Sequence, residues 1–326
     1  MKKIFTTSIV TITICFLLLL FKNQYSCMLL TNSTYGMPAL IKQGSVENLY
    51  LGSSMFRQGI DINVLEESSD FTNYILAYNG NQPALEYYEL KYLLEQNVQI
   101  TNLYIDMYVY SAWEEPEISD EKLFMEVGLP EKWNLWRLIT PTIKDNYFQI
   151  LWRFWVNSNN ELLLTWPISS PIINSQFHNG GALTKTDSAS YEALSQTSAP
   201  TISDKMDSTQ EYYIKELIRL AQEHHINLVF IETPKYESVA NDVSYLTAMK
   251  QYAQLLSENN TAYIVSENTQ QKCQLNEALS YSFNHSEVRY YMDTMHLSYD
   301  GRVAFTTSFL NPAPFFPASH SLAPNH

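Results

Sequence analysis

Residues 208–234 read STQEYYIKELIRLAQEHHINLVFIETP. The first four residues match the capping-box pattern S/T-x-x-E, which predicts a helix over residues 212–223. Residues 226–232 form a short apolar run that Pro234 bounds, and this pattern predicts a buried strand. A helix that leads directly into a buried strand is typical of an α/β protein.

The same alternation of short apolar runs and helical periods extends along most of the chain. Apolar runs predict four more strands at residues 46–52, 74–78, 98–110 and 262–265, and helical periods predict helices at 83–95 and 246–258. Buried strands that alternate with helices favour a parallel sheet covered on both faces. The predicted fold is a three-layer α/β/α sandwich with a parallel, flavodoxin-like, five-stranded sheet.

The N-terminus has the pattern of a membrane anchor. Lys2 and Lys3 precede residues 4–21, which carry no charge and are about long enough to cross a bilayer core. No A-x-A-like cleavage site follows, so we expect an uncleaved signal anchor, with a cleaved signal peptide as the alternative. The lysine pair predicts a single-pass protein of the cell membrane, with its N-terminus in the cytoplasm and the rest outside. Residues 1–27 are the predicted anchor and linker.

Two further segments do not follow the alternation. Residues 111–207 interrupt the predicted α/β domain, residues 28–310, and contain all six tryptophans of the chain. This aromatic-rich insertion could form a small core of its own, or a lid over a substrate, because tryptophan suits sugar faces and acyl chains. Residues 311–326 contain four prolines, and we expect a disordered tail there.

Composition excludes several classes of function. The 34 acidic residues outnumber the 20 lysines and arginines, which gives a net charge of −14. A nucleic-acid binder needs a basic surface to neutralise phosphates, so we expect no nucleic-acid partner. The three cysteines rule out a disulfide scaffold, and no Cys/His spacing resembles a zinc site. We therefore expect neither a metal nor a cofactor.

Candidate site residues follow the ends of two predicted strands. Parallel α/β sheets bind ligands at the carboxyl ends of their strands. The first strand ends in Gly52-Ser53-Ser54, where glycine permits a tight exit and a serine can project toward solvent. The second strand is followed by Gly80, whose backbone N–H could turn into a site. Taken separately, each motif could also be an ordinary turn or helix cap.

A third motif, Asp293-x-x-His296, precedes the last helical stretch. An aspartate at this spacing can hold the imidazole in one tautomer through Nδ1 and leave Nε2 free as a base. The alternative is a helix-capping aspartate with an incidental histidine.

Together, the three motifs resemble the SGNH, or GDSL-like, hydrolase superfamily, which has Gly-Asp-Ser, an oxyanion-hole glycine and Asp-x-x-His in this order. The Gly-Ser-Ser variant behind an N-terminal anchor is especially similar to the D-alanyl transfer protein family of teichoic-acid modification and to related exopolysaccharide-cluster proteins. The resemblance covers residues 46–110 and 208–309. One family motif, Gly-x-Asn-Asp, is missing, because the corresponding strand ends in Ile105-Asp106.

The resemblance implies an extracytoplasmic serine esterase or O-acyltransferase that acts on acyl groups of cell-envelope polysaccharide or teichoic acid. It implies a catalytic triad of Ser54, His296 and Asp293, with an acyl-enzyme formed at Ser54. The oxyanion hole would use the N–H groups of Ser54 and Gly80, and the side chain of Asn81 or Gln82 could substitute for the missing asparagine. Water would resolve the intermediate in an esterase, and a sugar or polyol hydroxyl in an acyltransferase.

The missing asparagine motif also supports an alternative function. In this alternative, the chain is a catalytically weak or inactive relative that binds polysaccharide or a membrane-bound acyltransferase partner. Two more polar residues are candidates for substrate binding: His178 in the insertion and Asp106 at the carboxyl end of a strand. Capping or hydrogen bonding to loops is the competing interpretation for Asp106.

Overall fold

The structure, a computed structural model, describes residues 7–15, 17–18, 21, 33–117, 119–120, 126–127, 133–135, 137, 175–197 and 199–310. The strands are β1 Ser45–Gly52, β2 Asn73–Ala77, β3 Gln99–Asp106, β4 Phe177–His178, β5 Gly181–Ala182, β6 Asn227–Ile231, β7 Ala262–Ser266 and β8 Leu279–Tyr281. The helices are α1 Met37–Gln43, α2 Ser54–Gly59, α3 Ile62–Ser68, α4 Pro83–Glu95, α5 Val109–Ala112, α6 Tyr191–Gln196, α7 Ser208–Glu223, α8 Glu237–Ala240, α9 Val243–Glu258, α10 Glu267–Cys273 and α11 Tyr299–Leu310.

The main sheet contains six parallel strands in the order β2-β1-β3-β6-β7-β8. The predicted α/β class and parallel sheet are confirmed, but the predicted number of five strands is wrong. The sixth strand, β8, is three residues long and, among the strands that the structure describes, pairs only with β7 at the edge of the sheet. A strand this short has too few residues to show a period in the sequence.

Helices cover both faces of the sheet because successive side chains of a strand point to opposite faces. In β1, Leu49 and Leu51 join a core cluster that contains apolar residues of α4, α7 and α9. Tyr50, which lies between them, joins a second cluster with residues of α2, α3 and α11. The two clusters form the layers above and below the sheet.

The predicted start of α7 is wrong by four residues. The helix begins at Ser208, and the carboxylate of Asp207 caps it by accepting hydrogen bonds from the N–H groups of Thr209 and Gln210. The prediction placed residues 208–211 before the helix as its capping box, whereas they form its first turn, and the cap is the preceding Asp207.

The described parts of residues 111–207 pack against the main domain. Trp113 is buried in the core cluster that contains Leu49, and Leu194 of α6 is buried in the other. Strands β4 and β5 form an antiparallel hairpin, in which Asn179 O accepts a 2.9 Å hydrogen bond from Ile75 N of β2. Trp133 is exposed, whereas the tryptophans at 136, 152, 155 and 166 lie outside the described residues, as does the predicted tail.

The predicted anchor is described only in part. Residues 7–15 are helical, but residues 1–6 and 22–32 are not among those described. In the part of the chain that the structure describes, no helix combines the length and the apolar character needed to cross a membrane. The predicted N-terminal transmembrane helix is therefore not found among these residues.

Candidate active site

The exit from β1 places Ser53 and Ser54 at the start of α2. Ser53 caps this helix, because its Oγ accepts a 3.1 Å hydrogen bond from Met55 N. Gly52 is required just before it, since a Cβ at that position would lie 2.6 Å from the Cβ of Asp106 on the neighbouring strand. Ser54 is then the first residue of the helix, at the carboxyl edge of the sheet.

The structure brings Ser54, His296 and Asp293 together, although 242 positions separate Ser54 from His296. Ser54 Oγ lies 2.9 Å from His296 Nε2. On the other side of the imidazole, Nδ1 lies 2.8 Å from Oδ2 and 3.1 Å from Oδ1 of Asp293. The three side chains form a serine–imidazole–carboxylate arrangement, a geometry that can activate a serine for nucleophilic attack.

Asp293 is held as a carboxylate. Burial raises the pKa of Asp293, but the hydrogen bond and charge of His296 and the N–H groups of Met295 and His296 lower it, and the net effect is a lowered pKa. Both N–H groups donate to Oδ1 at 2.7 Å. The carboxylate is thus fixed both to the imidazole and to the turn that carries it.

Two backbone N–H groups follow the carboxyl ends of β1 and β2, those of Ser54 and Gly80. Neither the Ser54 nor the Gly80 N–H donates to another group among the described residues. Gly80 has φ +59°, and a Cβ there would meet Ser119 at 2.8 Å, so the position requires glycine. Tyr78 N donates to Gly52 O at 3.1 Å, which joins the ends of β2 and β1.

The structure does not bring the side chains of Asn81 and Gln82 into the Ser54 cluster. Asn81 Nδ2 donates to Glu89 Oε2 at 3.0 Å and to Gly52 O at 3.3 Å. Gln82 Oε1 accepts a hydrogen bond from Gln210 Nε2 at 3.1 Å. Both amides are buried and bonded to other protein groups. The structure therefore shows no side-chain substitute for the missing asparagine at either position.

The two predicted substrate-binding residues lie in different surroundings. Asp106, at the end of β3, is buried, and its Oδ2 accepts a 2.5 Å hydrogen bond from Ser53 Oγ. Among the described residues, the side chain of Asp106 therefore bonds to Ser53, the residue before Ser54. His178 lies on the β4–β5 hairpin, where its Nε2 is 3.0 Å from a carboxylate oxygen of Glu66. Among the described residues, it forms no contact with Ser54 or His296.

A buried lysine near the site was missed by the sequence analysis. Lys235 follows β6 and is only 2% exposed. Burial lowers its pKa to about 8, and the negative charges of Asp106, Glu232 and Asp293 oppose this effect. The available signal was its position, because a lysine soon after a buried strand lies at the ligand-binding edge of a parallel sheet.

These groups can support nucleophilic chemistry at an acyl carbon. They supply a hydroxyl, a base in contact with it, a carboxylate that orients the base, and two backbone donors. Among the residues that the structure describes, no group of three or more His, Cys, Asp or Glu side chains could hold a metal ion.

Comparison with known proteins gives only distant structural similarity. No protein-family model matches the chain, and no curated protein matches its sequence. Among solved structures, a catalytic mutant of Axe2, an acetylxylan esterase from Geobacillus stearothermophilus, is 12% identical with a TM-score of 0.39, over 84% of this chain and 96% of that chain. A second Axe2 mutant from the same organism is 11% identical with a TM-score of 0.33, over 84% of this chain and 97% of that chain. Because these scores are low, the interpretation of the site depends on its own geometry.

Proposed function

We propose that the protein is a serine esterase or O-acyltransferase that forms an acyl intermediate on Ser54. The observation that carries this proposal is the contact of Ser54 Oγ with His296 Nε2 at 2.9 Å, with Asp293 bound to the opposite ring nitrogen. A serine hydroxyl is a weak nucleophile until a base within hydrogen-bond reach takes its proton. His296 is that base, and Asp293 stabilises the imidazolium that forms.

In the first half-reaction, His296 Nε2 takes the proton of Ser54 Oγ as the oxygen attacks the acyl carbon. The carbonyl oxygen becomes negative and accepts hydrogen bonds from the N–H groups of Ser54 and Gly80. The bond to the leaving alcohol then breaks, and that alcohol takes the proton from His296. In the second half-reaction, His296 takes a proton from water or an acceptor hydroxyl as that oxygen attacks the acyl carbon. The bond between the acyl carbon and Ser54 Oγ then breaks, His296 returns the proton to Ser54 Oγ, and the acid or the new ester leaves.

The substrate and the location are proposed from the sequence. The similarity of the Gly52-Ser53-Ser54 motif to exopolysaccharide and teichoic-acid proteins favours acyl groups of cell-envelope glycans as the substrate, with a membrane-bound acyltransferase as the partner. The lysine pair before residues 4–21 favours a cell-membrane protein whose α/β domain is outside the cytoplasm.

One observation favours a second function, a catalytically weak protein that binds polysaccharide or an acyltransferase. The side chains of Asn81 and Gln82 are bonded elsewhere, so the site offers two backbone donors without a side-chain amide at these positions. Loss of one oxyanion-hole donor typically costs about 10²–10³ in rate. A weak active site is compatible with a role in binding.

A fluorophosphonate probe tests the proposal, because it reacts covalently with activated serines. The full-length protein is incubated with the probe, and the labelled peptide is identified by mass spectrometry. We expect a label on Ser54 that is lost in Ser54→Ala and strongly reduced in His296→Ala. Ser195→Ala, which removes an exposed serine of α6, is the control and should be labelled as the wild type is. Absence of labelling in a folded wild-type sample would favour the binding function.

A further inference from the structure

A four-residue turn carries the Gly80 N–H after the end of β2. Asn81 N donates to Tyr78 O at 3.3 Å, which closes a turn over residues 78–81, called here the Gly80 turn. Gly80 is its third residue and has φ +59°, the left-handed region that type II turns use at this position. The Gly80 N–H belongs to the central peptide of the turn, so the orientation of the turn determines where this N–H points.

Asp120 holds the Gly80 turn from the side of the aromatic-rich insertion. Asn79 N donates to Asp120 Oδ2 at 3.1 Å, and the side chain of Asp120 is buried. A Cβ added to Gly80 would lie 2.8 Å from the Cβ and the Oγ of Ser119, so the residue before Asp120 packs directly against Gly80. The start of the insertion therefore contacts two successive residues of the turn, Asn79 and Gly80.

Arg57 holds the same turn from the side of α2. It lies three residues after Ser54, and its side chain is only 12% exposed. Its Nε and Nη2 both donate to Ala77 O, at the end of β2, at 3.2 and 2.8 Å. Nη2 also donates to Asp120 Oδ2 at 3.3 Å. The guanidinium group thus joins the helix that begins at Ser54 to the strand that leads into the Gly80 turn.

One carboxylate oxygen connects the helix and the turn. Asp120 Oδ2 accepts a hydrogen bond from Asn79 in the turn and another from Arg57 on α2. Hydrogen bonds that involve an ionised group are stronger than neutral ones, and a largely buried ion pair is weakened by salt less than an exposed pair is. Ser54 and the Gly80 N–H are therefore connected through Arg57 and Asp120 as well as through the sheet.

The relative position of these two groups matters for the chemistry proposed at Ser54. An oxyanion donor is effective only when it lies about 2.7–3.1 Å from the place that the negative oxygen will occupy. Because Ser54 Oγ bonds to the acyl carbon, α2 determines where that oxygen lies, whereas the Gly80 turn determines where its donor lies. A misplacement of about 1 Å can cost about 10²-fold in rate.

We propose that Arg57 and Asp120 are positioning residues of the Ser54 site, whose ion pair fixes the Gly80 turn relative to α2 and so aims the Gly80 N–H at the oxyanion. The effect on turnover rests on the proposed esterase or acyltransferase function. The attachment of the turn to α2 is a property of the folded chain and can be measured without a substrate.

Asp120→Ala tests the effect on turnover, with the full-length protein and a small chromogenic ester. We expect kcat to fall about 10²-fold while KM stays within about threefold of the wild-type value, because an oxyanion donor acts on the transition state and not on the bound ester. In Asp120→Asn, the amide oxygen can accept both hydrogen bonds, so most of kcat should be retained.

Asp61→Ala is the matched control. Asp61 is another buried aspartate that accepts hydrogen bonds from backbone N–H groups, those of Asn63 and Val64, and pairs with an arginine, Arg302, at 3.1 Å. Its removal should lower the urea unfolding midpoint as Asp120→Ala does, but kcat should stay at the wild-type value. An equal fall of kcat in both variants, or wild-type kcat in Asp120→Ala, would overturn the positioning role.

Amide hydrogen exchange, followed by mass spectrometry, tests the attachment of the turn without a substrate. In Asp120→Ala, the Asn79 N–H loses its acceptor, so peptides that cover residues 77–82 should exchange faster than in the wild type. Asp61→Ala should leave the exchange of these peptides unchanged. Wild-type exchange over residues 77–82 in Asp120→Ala would show that the ion pair does not hold the turn.

A double variant keeps the test decisive if Asp120→Ala does not fold. Arg57→Met combined with Asp120→Asn replaces both charged groups, so no buried charge is left without a partner. The double variant keeps an acceptor for Asn79 N but removes the donors to Ala77 O, and its kcat should fall at least about 10-fold with little change in KM. Wild-type kcat in the folded double variant would overturn the proposal.

The proposed function and the positioning role fail in different ways. If the wild type hydrolyses no ester and Ser54 is not labelled by the fluorophosphonate, but residues 77–82 exchange faster in Asp120→Ala, the proposed function fails and the attachment of the turn stands. If the wild type hydrolyses the ester and Asp120→Ala has the same kcat, the positioning role fails and the proposed function stands.

Discussion

The hydroxyl of Ser53 donates a 2.5 Å hydrogen bond to Asp106 Oδ2 and also accepts one from Met55 N. Ser53 therefore links the end of β3 to the first turn of α2, directly beside Ser54. The link determines where the helix starts, and with it the position of Ser54 Oγ relative to His296.

Ser53→Ala should destabilise the protein and slow the reaction of Ser54. Loss of the cap costs about 1 kcal/mol, and an acid left buried without its donor costs about 1–3 kcal/mol more. Urea unfolding measures the loss of stability, and the rate of fluorophosphonate labelling measures how much more slowly Ser54 reacts. Ser190→Ala, which removes the cap of α6 but no bond to a buried acid, is the control. An equal loss of stability in both variants would contradict the structural role of the Ser53–Asp106 bond.

Gly80→Ala should affect activity far more than stability. The left-handed conformation at φ +59° is unfavourable for alanine, and the new Cβ would meet Ser119 at 2.8 Å, which displaces the Gly80 N–H. We expect a loss of about 10²–10³ in kcat for a chromogenic ester. Gly44→Ala is matched to it, because Gly44 also has a positive φ, but among the described residues no atom apart from its chain neighbours lies within 4 Å of the added Cβ. That control should lose about 1 kcal/mol of stability and keep its activity. Equal kcat values for the two variants would contradict the proposed role of the Gly80 N–H as an oxyanion donor.

Asp293→Asn should reduce turnover and change the acid stability of the protein. Asparagine does not fix the imidazole in the tautomer that accepts the Ser54 proton, and the comparable change in a serine protease costs about 10⁴ in kcat. The lowered pKa of Asp293 means that its stabilising contribution is present above the ordinary carboxyl pKa and is lost as the pH falls through the lowered value. The difference in free energy of unfolding between wild type and variant should therefore shrink on acidification. A difference that is constant with pH would contradict the His296–Asp293 pairing.

Lys235 should make the protein more stable as the pH rises through the mildly alkaline range. Its pKa is about 8 in the folded chain, compared with the ordinary value of 10.5. Between these values the unfolded chain binds a proton that the folded chain does not, so the free energy of unfolding rises with pH, by on the order of 3 kcal/mol over the whole interval. Lys235→Met should lack this rise, whereas other alkaline titrations should affect both proteins equally. If urea unfolding shows that the free energies of unfolding of wild type and Lys235→Met change with pH in the same way, the pKa of Lys235 is not lowered.

The sequence predicted the elements that have long local patterns. The five strands β1, β2, β3, β6 and β7 each have an apolar run, and the motifs at their ends lie next to one another because parallel strands end at the same edge. Contacts between distant segments have no such signal. The bond of Ser53 with Asp106 and the electrostatic interaction of Asp106 with Lys235 arise only when β1, β3 and β6 are side by side.

The predicted role of the Asn81 side chain in the oxyanion hole was not found, for a similar reason. Its position after β2 suggested an oxyanion donor, but in the folded chain its amide donates to Glu89, a buried acid on α4. The helical period of α4 marked several apolar residues for burial, whereas the buried positions of Glu86 and Glu89 became visible only in the structure.

The most direct test of the account is the turnover of a small chromogenic ester by the full-length wild-type protein and by Ser54→Ala. The side chain of Ser54 is only partly buried and has His296 as its described partner, so its removal should leave the urea unfolding midpoint nearly unchanged. The account predicts that wild type hydrolyses the ester and that Ser54→Ala falls to the background rate. Wild-type turnover in a folded Ser54→Ala protein would contradict the central claim that Ser54 is the nucleophile.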